Sequence, residues 1–272
     1  MRDSLFDLRD RVVAVTGGHG RLGHAFTLCL LERGARVAVL DLDAASRRPS
    51  QELKSAHDQG RMLAVDCDVT SRQSLEAALA AIEDRWECPY GLINNAAIDS
   101  PPDAPAEENG PFEAYPRQSL DRILDVNVVG VVQACQVIGG RMADLGRGSI
   151  INVSSIYGIV SPDQKLYEYR RERGAAFYKP VAYSVSKSAL FNLTRYLATY
   201  WGPKGVRVNT VTFGGVFDNQ DPRFRAEYEA RVPLGRMASV DDYNGTVIYL
   251  LSDASRYMTG SNVIIDGGWT AW

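Results

Sequence analysis

Tyr183 and Lys187 stand four residues apart in the stretch Val181 to Leu190, a spacing that places two side chains on one face of a helix. A phenol free in water titrates near ~10, too high to carry a proton at neutral pH, but an ammonium within ~4–6 Å favours the phenolate. The pair could therefore act as a general acid/base. The same spacing suits any amphipathic helix, so the chemistry rests on whether other elements bring a ligand to it.

The glycine-rich segment Thr16-Gly17-Gly18-His19-Gly20-Arg21-Leu22-Gly23 lies between a short apolar run, Arg11 to Thr16, and a helical pattern of Leu22, Ala25, Phe26, Leu28, Leu30 and Leu31 closed by Gly34. Strand, glycine turn and helix N-terminus form a pyrophosphate site, because the missing Cβ atoms admit the ligand and free N–H groups point at it. The alternative is a tight turn without a ligand. His19 and Arg21 read as exposed loop residues, with Arg21 able to reach a phosphate. A second strand from Arg36 ends at Asp41, near the ~20-residue offset at which an acid accepts bonds from the adenosine ribose hydroxyls. A plain turn or helix cap is its alternative. A carboxylate there repels a 2′-phosphate, which favours NAD over NADP, although Arg21, Arg47 and Arg48 could neutralise one.

A third strand, Arg61 to Val65, leads through Asp68-Val69 into an amphipathic helix ending near Trp86, and a fourth, Gly91 to Asn94, opens onto Asn95-Ala96-Ala97. Asp99 to Pro116 carries five prolines and reads as a long surface loop at a strand's carboxyl end, where open α/β sheets bind ligands. Ser119 to Leu145 is helical in pattern and contains Asn127, either a satisfied core amide or a functional one. The fifth strand ends at Ser154-Ser155, Ile156 to Pro180 reads as irregular, and the Tyr183 helix runs to about Trp201. A sixth strand, Val206 to Val211, precedes Phe213-Gly214-Gly215-Val216; helix Ser239 to Leu251 and strand Asn262 to Asp266 follow. Strands alternating with helices, without repeats or a linker, predict one doubly wound α/β domain over residues 1–272. Its substrate-side loops would be about 99–117, 156–180 and 213–235.

The 272 residues are 45% hydrophobic and 23% charged, with a formal net charge of -3. Such a balance gives no electrostatic reason for a nucleic-acid or membrane partner and points to a small-molecule ligand. Cys29, Cys67, Cys88 and Cys135 are scattered without C-x-x-C spacing, so neither a disulfide framework nor a metal site is indicated. Buried thiols in a reducing compartment are expected. The first ten residues are interrupted by charge, and no run approaches the ~20 apolar residues of a membrane span. A cytoplasmic location is the expectation.

In this order and spacing the motifs resemble the classical short-chain dehydrogenases/reductases. The resemblance runs through the Thr16 glycine loop, Asn94-Asn95-Ala96-Ala97, Asn127, Ser155, Tyr183-x-x-x-Lys187 and the ending Thr259 to Trp269. It implies a seven-stranded parallel sheet of order 3-2-1-4-5-6-7, with homodimers or homotetramers packed through the two long helices and the C-terminal region. It implies an NAD(P)-dependent oxidoreductase acting on a secondary alcohol or ketone. Tyr183 would be the proton donor or acceptor, Lys187 would lower its pKa and hold the nicotinamide ribose, Ser155 would bind the substrate oxygen, and Asn127 would hold a relay water. Asp68-Val69 would contact the adenine and Gly214-Gly215-Val216 the nicotinamide carboxamide. The other implied cofactor contacts are Thr16, Gly17, Gly20, Arg21, Leu22, Gly23, Asp41, Asn95, Ala96 and Ala97. A catalytically silent dinucleotide sensor or scaffold is the competing class, but a sensor has no need of Asn, Ser, Tyr and Lys together.

The chain departs from the family pattern at four places. Arg21 stands where a glycine is usual, Ala97 replaces a glycine, and Phe213 replaces a proline. The interval from Ser155 to Tyr183 is 28 residues (183 − 155), about twice the usual one. The inserted stretch Ser161 to Pro180 holds five basic, three acidic and four aromatic residues. It is expected to form a lid or wall that recognises an anionic or polyhydroxylated ligand, such as a phosphorylated or nucleotide-linked sugar, through Arg forks and aromatic faces; a surface or oligomer-contact excursion is the alternative. With Gly214 to Gln220 it resembles a subgroup associated with flagellin modification and nonulosonic sugar pathways. A 3-oxoacyl or other small-ketone reductase is the alternative activity.

Overall fold

The computed structural model describes residues 5–99 and 106–272; of the predicted proline loop, Pro101, Pro102 and Pro105 lie outside the described residues. The seven strands are β1 (Val12–Thr16), β2 (Arg36–Asp41), β3 (Met62–Asp66), β4 (Gly91–Asn94), β5 (Gly148–Ser155), β6 (Val206–Phe213) and β7 (Asn262–Ile265). They form one parallel sheet in the order 3-2-1-4-5-6-7. Every residue of β1 and β4 is buried, as strands covered on both faces must be.

Successive strand residues point to opposite faces, and the core divides accordingly. Val12, Ala14, Ala38, Leu40, Leu92 and Ile150 pack with α3 (Arg72–Arg85), α4 (Arg117–Asp144) and α6 (Val181–Trp201). Val13, Val15, Val37, Val39, Ile93 and Ile151 pack on the other face with α1 (Arg21–Glu32), α2 (Gln51–Asp58) and α8 (Asn244–Leu251). Within the first layer a buried polar chain crosses the sheet: Asn94 Nδ2 donates to Asn152 Oδ1 (2.8 Å), Asn152 Nδ2 to Thr194 Oγ1 (2.8 Å), and Thr210 Oγ1 to Thr194 Oγ1 (2.7 Å). It ties β4, β5, β6 and α6 in one register, with Asn94 Oδ1 the buried atom of this polar chain that has no hydrogen-bond partner.

The helix α4 passes through two π-turns, Asp125–Val129 and Cys135–Gly139. By length and composition it could cross a bilayer, but half of its most apolar window is buried inside the fold. All four cysteines are free and buried, as expected.

The stretch expected to be irregular before Pro180 is ordered instead: a 3-10 turn at Gln164–Tyr167 runs into α5 (Glu168–Glu172). The reason is tertiary. Tyr167 packs against Phe177 and Phe224, with ring centroids 5.0 and 5.5 Å apart, and Ile156, Leu166, Tyr228, Val232 and Met237 complete a third core cluster with α7 (Pro222–Glu229). Two further helices, α2 and α7, are not predicted, α7 lying inside the expected loop 213–235, and the helix expected from Ser239 opens as a 3-10 turn at Val240–Tyr243 before α8 begins at Asn244; β3 and the start of α4 shift by one or two residues.

Candidate active site

The glycine loop follows β1 and turns directly into α1. Gly17 has φ +62°, and a Cβ there would lie 2.8 Å from Ala96 Cα, while one on Gly23 would lie 2.2 Å from Gly17 O. The loop is thus a cradle that only glycine can close. Thr16 and Asn95 brace it. The Thr16 hydroxyl accepts from the N–H groups of Asn95 and Ala96 (3.0 and 3.1 Å), and Asn95 Nδ2 donates to the carbonyls of Thr16 and Gly17 (3.1 and 3.0 Å). Leu22 lines the cavity behind the loop.

At the end of β2, Asp41 accepts from the N–H groups of His19 (2.9 Å) and Leu42 (2.8 Å), so it fixes the turn and still presents acceptor capacity. Asp66 is its partner across the β2–β3 register. A second carboxylate at this edge was not singled out in the sequence, because strand register is a non-local property. Asp68 accepts from the Thr70 N–H (2.9 Å) and hydroxyl (2.7 Å), and Val69 packs against Gly130 of α4. Arg21 is exposed, as expected, but engaged: Nη2 donates to Phe217 O (2.6 Å) and Nη1 lies 3.0 Å from Asp218 Oδ2. It thereby links the glycine loop to the segment after β6. There Gly215 N–H donates to the Tyr228 hydroxyl (2.6 Å), Gly214 O accepts from Tyr243 (2.9 Å), and Val216 bridges to Ala238. Phe213, in place of the family proline, stacks on Tyr243 at 4.0 Å.

A cavity of about 1110 Å³ opens at the carboxyl ends of the strands, lined by Asn95, Ala97, Ser155, Tyr157, Tyr183, Lys187, Gly214, Gly215 and Val216. Ser155 ends β5 and Tyr183 lies in the first turn of α6, so sheet and helix present the two hydroxyls to one space. They share a hydrogen bond. Lys187 is 4% exposed. Its Nζ donates to Val153 O (2.9 Å) and lies 5.7 Å from the Tyr183 ring centroid. Burial pushes its pKa down to about 8, opposed by the Asp99 carboxylate.

The expected lowering of the Tyr183 pKa is reversed in the free protein. Burial raises it above the usual phenol value, the Asp99 charge adds to the rise, and the Ser155 hydrogen bond only partly offsets them. Asn127, in the first π-turn of α4, uses both amide hydrogens, on Ile98 O (2.9 Å) and Ser186 Oγ (3.0 Å), and its Oδ1 accepts from the Ile98 N–H (2.8 Å). Its side chain is thus a core tie, able to hold a water only as an acceptor.

The insertion does wall the cavity, through Tyr167, Tyr169, Arg170, Arg173, Phe177 and Lys179. Its Arg forks are largely engaged by protein groups, however. Arg173 pairs with Asp221 (2.9 Å), and Arg171 donates to the carbonyls of Phe177 and Gln164 (both 2.9 Å). Lys179, unremarked in the sequence, forms an ion pair with Asp99, and its Nζ is 5.3 Å from the Tyr183 ring centroid. No group of metal-ligating side chains occurs among the described residues.

The family described as enoyl-(acyl carrier protein) reductase matches residues 20–270. The chain is 32% identical to 2-(S)-hydroxypropyl-CoM dehydrogenase 3 of Xanthobacter autotrophicus, over 97% of this chain and 98% of the relative. It is 31% identical to D-threitol dehydrogenase of Mycolicibacterium smegmatis, over 97% and 95%. Among solved structures, a short chain dehydrogenase from Leptospira borgpetersenii with bound NAD+ superposes with a TM-score of 0.85 at 31% identity, covering 99% of this chain and 96% of that one.

Proposed function

The chain belongs to the classical short-chain dehydrogenase/reductase family, as an NAD(P)-dependent oxidoreductase of CH–OH groups, and on that premise we propose that it interconverts a secondary alcohol of polyol or sugar type and its ketone. The observation that carries this is the convergence of Ser155, Tyr183 and Lys187 on one cavity beside the glycine cradle. A relative named for D-threitol supports the polyol class.

The residues present fit a dinucleotide. Gly17, Gly20 and Gly23, with Thr16 at the end of β1 and Arg21 and Leu22 at the start of α1, would hold the pyrophosphate, since N–H groups at a helix N-terminus favour an anion. Asp41 would take the adenosine ribose, Asp68 and Val69 the adenine, and Tyr183 and Lys187 the nicotinamide ribose. Asn95, Ala96, Ala97, Gly214, Gly215 and Val216 would flank the nicotinamide. Asp41 with Asp66 beside it puts two carboxylates where a 2′-phosphate would lie, which supports NAD over NADP.

Bound nicotinamide supplies the hydride chemistry. Ser155 Oγ donates to the substrate oxygen, where removal of such a contact costs ~10²–10³ in rate. In reduction Tyr183 gives its proton to that oxygen, and its raised pKa keeps the phenol protonated across neutral pH. In oxidation the base is the Tyr183 phenolate, which takes the carbinol proton to become the phenol, and the Lys187 ammonium favours that phenolate. Asn127 is the proposed holder of a relay water behind Lys187. The buried free cysteines suit a reducing, cytoplasmic setting.

Tyr183→Phe should lower turnover by ~10²–10⁴, the usual contribution of a positioned acid/base. NADH should still raise the melting temperature of this variant, and by more than NADPH does. Turnover close to that of the unmutated protein would refute the proton-transfer role, and greater stabilisation by NADPH would refute the cofactor preference.

A further inference from the structure

The insertion delivers one charged group to the reacting end of the cavity. Gln164 holds the backbone of Lys179 from both sides, accepting from its N–H (2.9 Å) and donating to its carbonyl (3.1 Å). Gln164 is in turn fixed by Arg171, which spans the carbonyls of Gln164 and Phe177. The Lys179 side chain is 12% exposed and faces Asp99, which is 35% exposed. Both line the cavity with Ser155 and Tyr183, and the Asp99 charge is felt at both Tyr183 and Lys187.

The pairing decides what ligand chemistry fits beside Tyr183. The charged lining comprises Arg170, Arg173, Lys179 and Lys187 against Asp99, Asp218 and Asp221, nearly balanced. Arg173 is bound by Asp221 and Arg170 lies over the Phe177 ring at 4.3 Å. A carboxylate or phosphate next to the reacting carbon would have to displace Asp99 from Lys179 or sit against its charge. A neutral hydroxyl does neither, because it accepts from the ammonium while donating to the carboxylate.

We propose that Lys179 and Asp99 are a specificity-determining pair that binds the hydroxyl on the carbon next to the reacting one, so that the substrate is a neutral vicinal polyol or the corresponding α-hydroxy ketone. The proposal rests on the alcohol–ketone reading above and narrows it. An alcohol without the neighbouring hydroxyl leaves a partly buried ion pair facing apolar surface, and sites built around a substrate hydroxyl reject analogues that lack it.

The test compares kcat/KM for oxidation of glycerol, D-threitol and meso-2,3-butanediol with that for 2-propanol and 2-butanol. It uses the unmutated protein, Asp99→Asn, Lys179→Met and Lys179→Arg, each first shown to be folded by a rise in melting temperature with NADH. The unmutated protein should prefer at least one polyol by ~10²-fold or more. Asp99→Asn and Lys179→Met should reduce that ratio at least tenfold, and Lys179→Arg should restore part of it. A parallel fall on both kinds of alcohol, or simple alcohols turned over as well as polyols, overturns the pair's role and leaves the alcohol–ketone reading standing. Turnover of none of the five overturns the vicinal-polyol assignment and leaves the alcohol–ketone reading to substrates of sugar type.

Discussion

Lys187 sets a buried position against a charged group, and the conflict is measurable. Its folded pKa is depressed from 10.5 to about 8 by burial, so between these values the unfolded chain binds the extra proton. Stability contributed by the group is then fully present above pH 10.5 and lost as pH falls through about 8. In Lys187→Met that dependence is absent. The melting temperature of the unmutated protein relative to Lys187→Met should therefore rise with pH across this window, as read by thermal unfolding at pH 7, 8, 9 and 10; a difference that stays flat would show that burial does not penalise the ammonium. At this scale the sequence disclosed Ser155, Tyr183 and Lys187, because local motifs carry them. It did not disclose Asp66, Asp99 or Lys179. Asp66 matters through register with Asp41, and Lys179 through a chain that leaves the sheet and returns.

The alternation of strands and helices is legible from the apolar strand runs and the long periodic helices. The eight-residue helices α2 and α7 and five-residue α5 are too short to show a period. Its order comes from the Tyr167 ring cluster more than from the ion pairs Glu172–Arg223 and Arg173–Asp221, since exposed pairs contribute little. Glycines differ in the same contextual way. An Ala at 23 would drive its Cβ against Gly17 O and Gly18 Cα, while Gly245 in the first turn of α8 has open space around it. Gly23→Ala should destabilise the protein by about 1–3 kcal/mol through overpacking and weaken NADH binding. Gly245→Ala should stabilise it by about 0.5–1 kcal/mol through helix propensity. Denaturant unfolding distinguishes them, and equal behaviour of the two variants would refute the cradle's tight closure.

At the scale of the whole molecule, the two longest helices carry exposed apolar and aromatic side chains. Along α6 the exposed positions include Val185, Tyr196 and Tyr200, repeating at roughly helical spacing on one face. Val129 of α4 is exposed as well, and α4 packs beside α6. Tyr196 and Tyr200 stack with centroids 5.9 Å apart, forming an aromatic ridge of the kind enriched at interfaces. Burying such a face needs a partner that is itself apolar there, and a second copy supplies one by symmetry. The ridge also shares α6 with Tyr183 and Lys187, so association would stiffen the element that carries them. The double substitution Tyr196→Glu, Tyr200→Glu places charge in the middle of that contact. Light scattering at micromolar concentration should show the unmutated protein as a dimer or tetramer and the double variant at half that mass or less, with lower activity per chain. An unchanged mass would mean that the subunits meet elsewhere, and the ridge would then need another explanation.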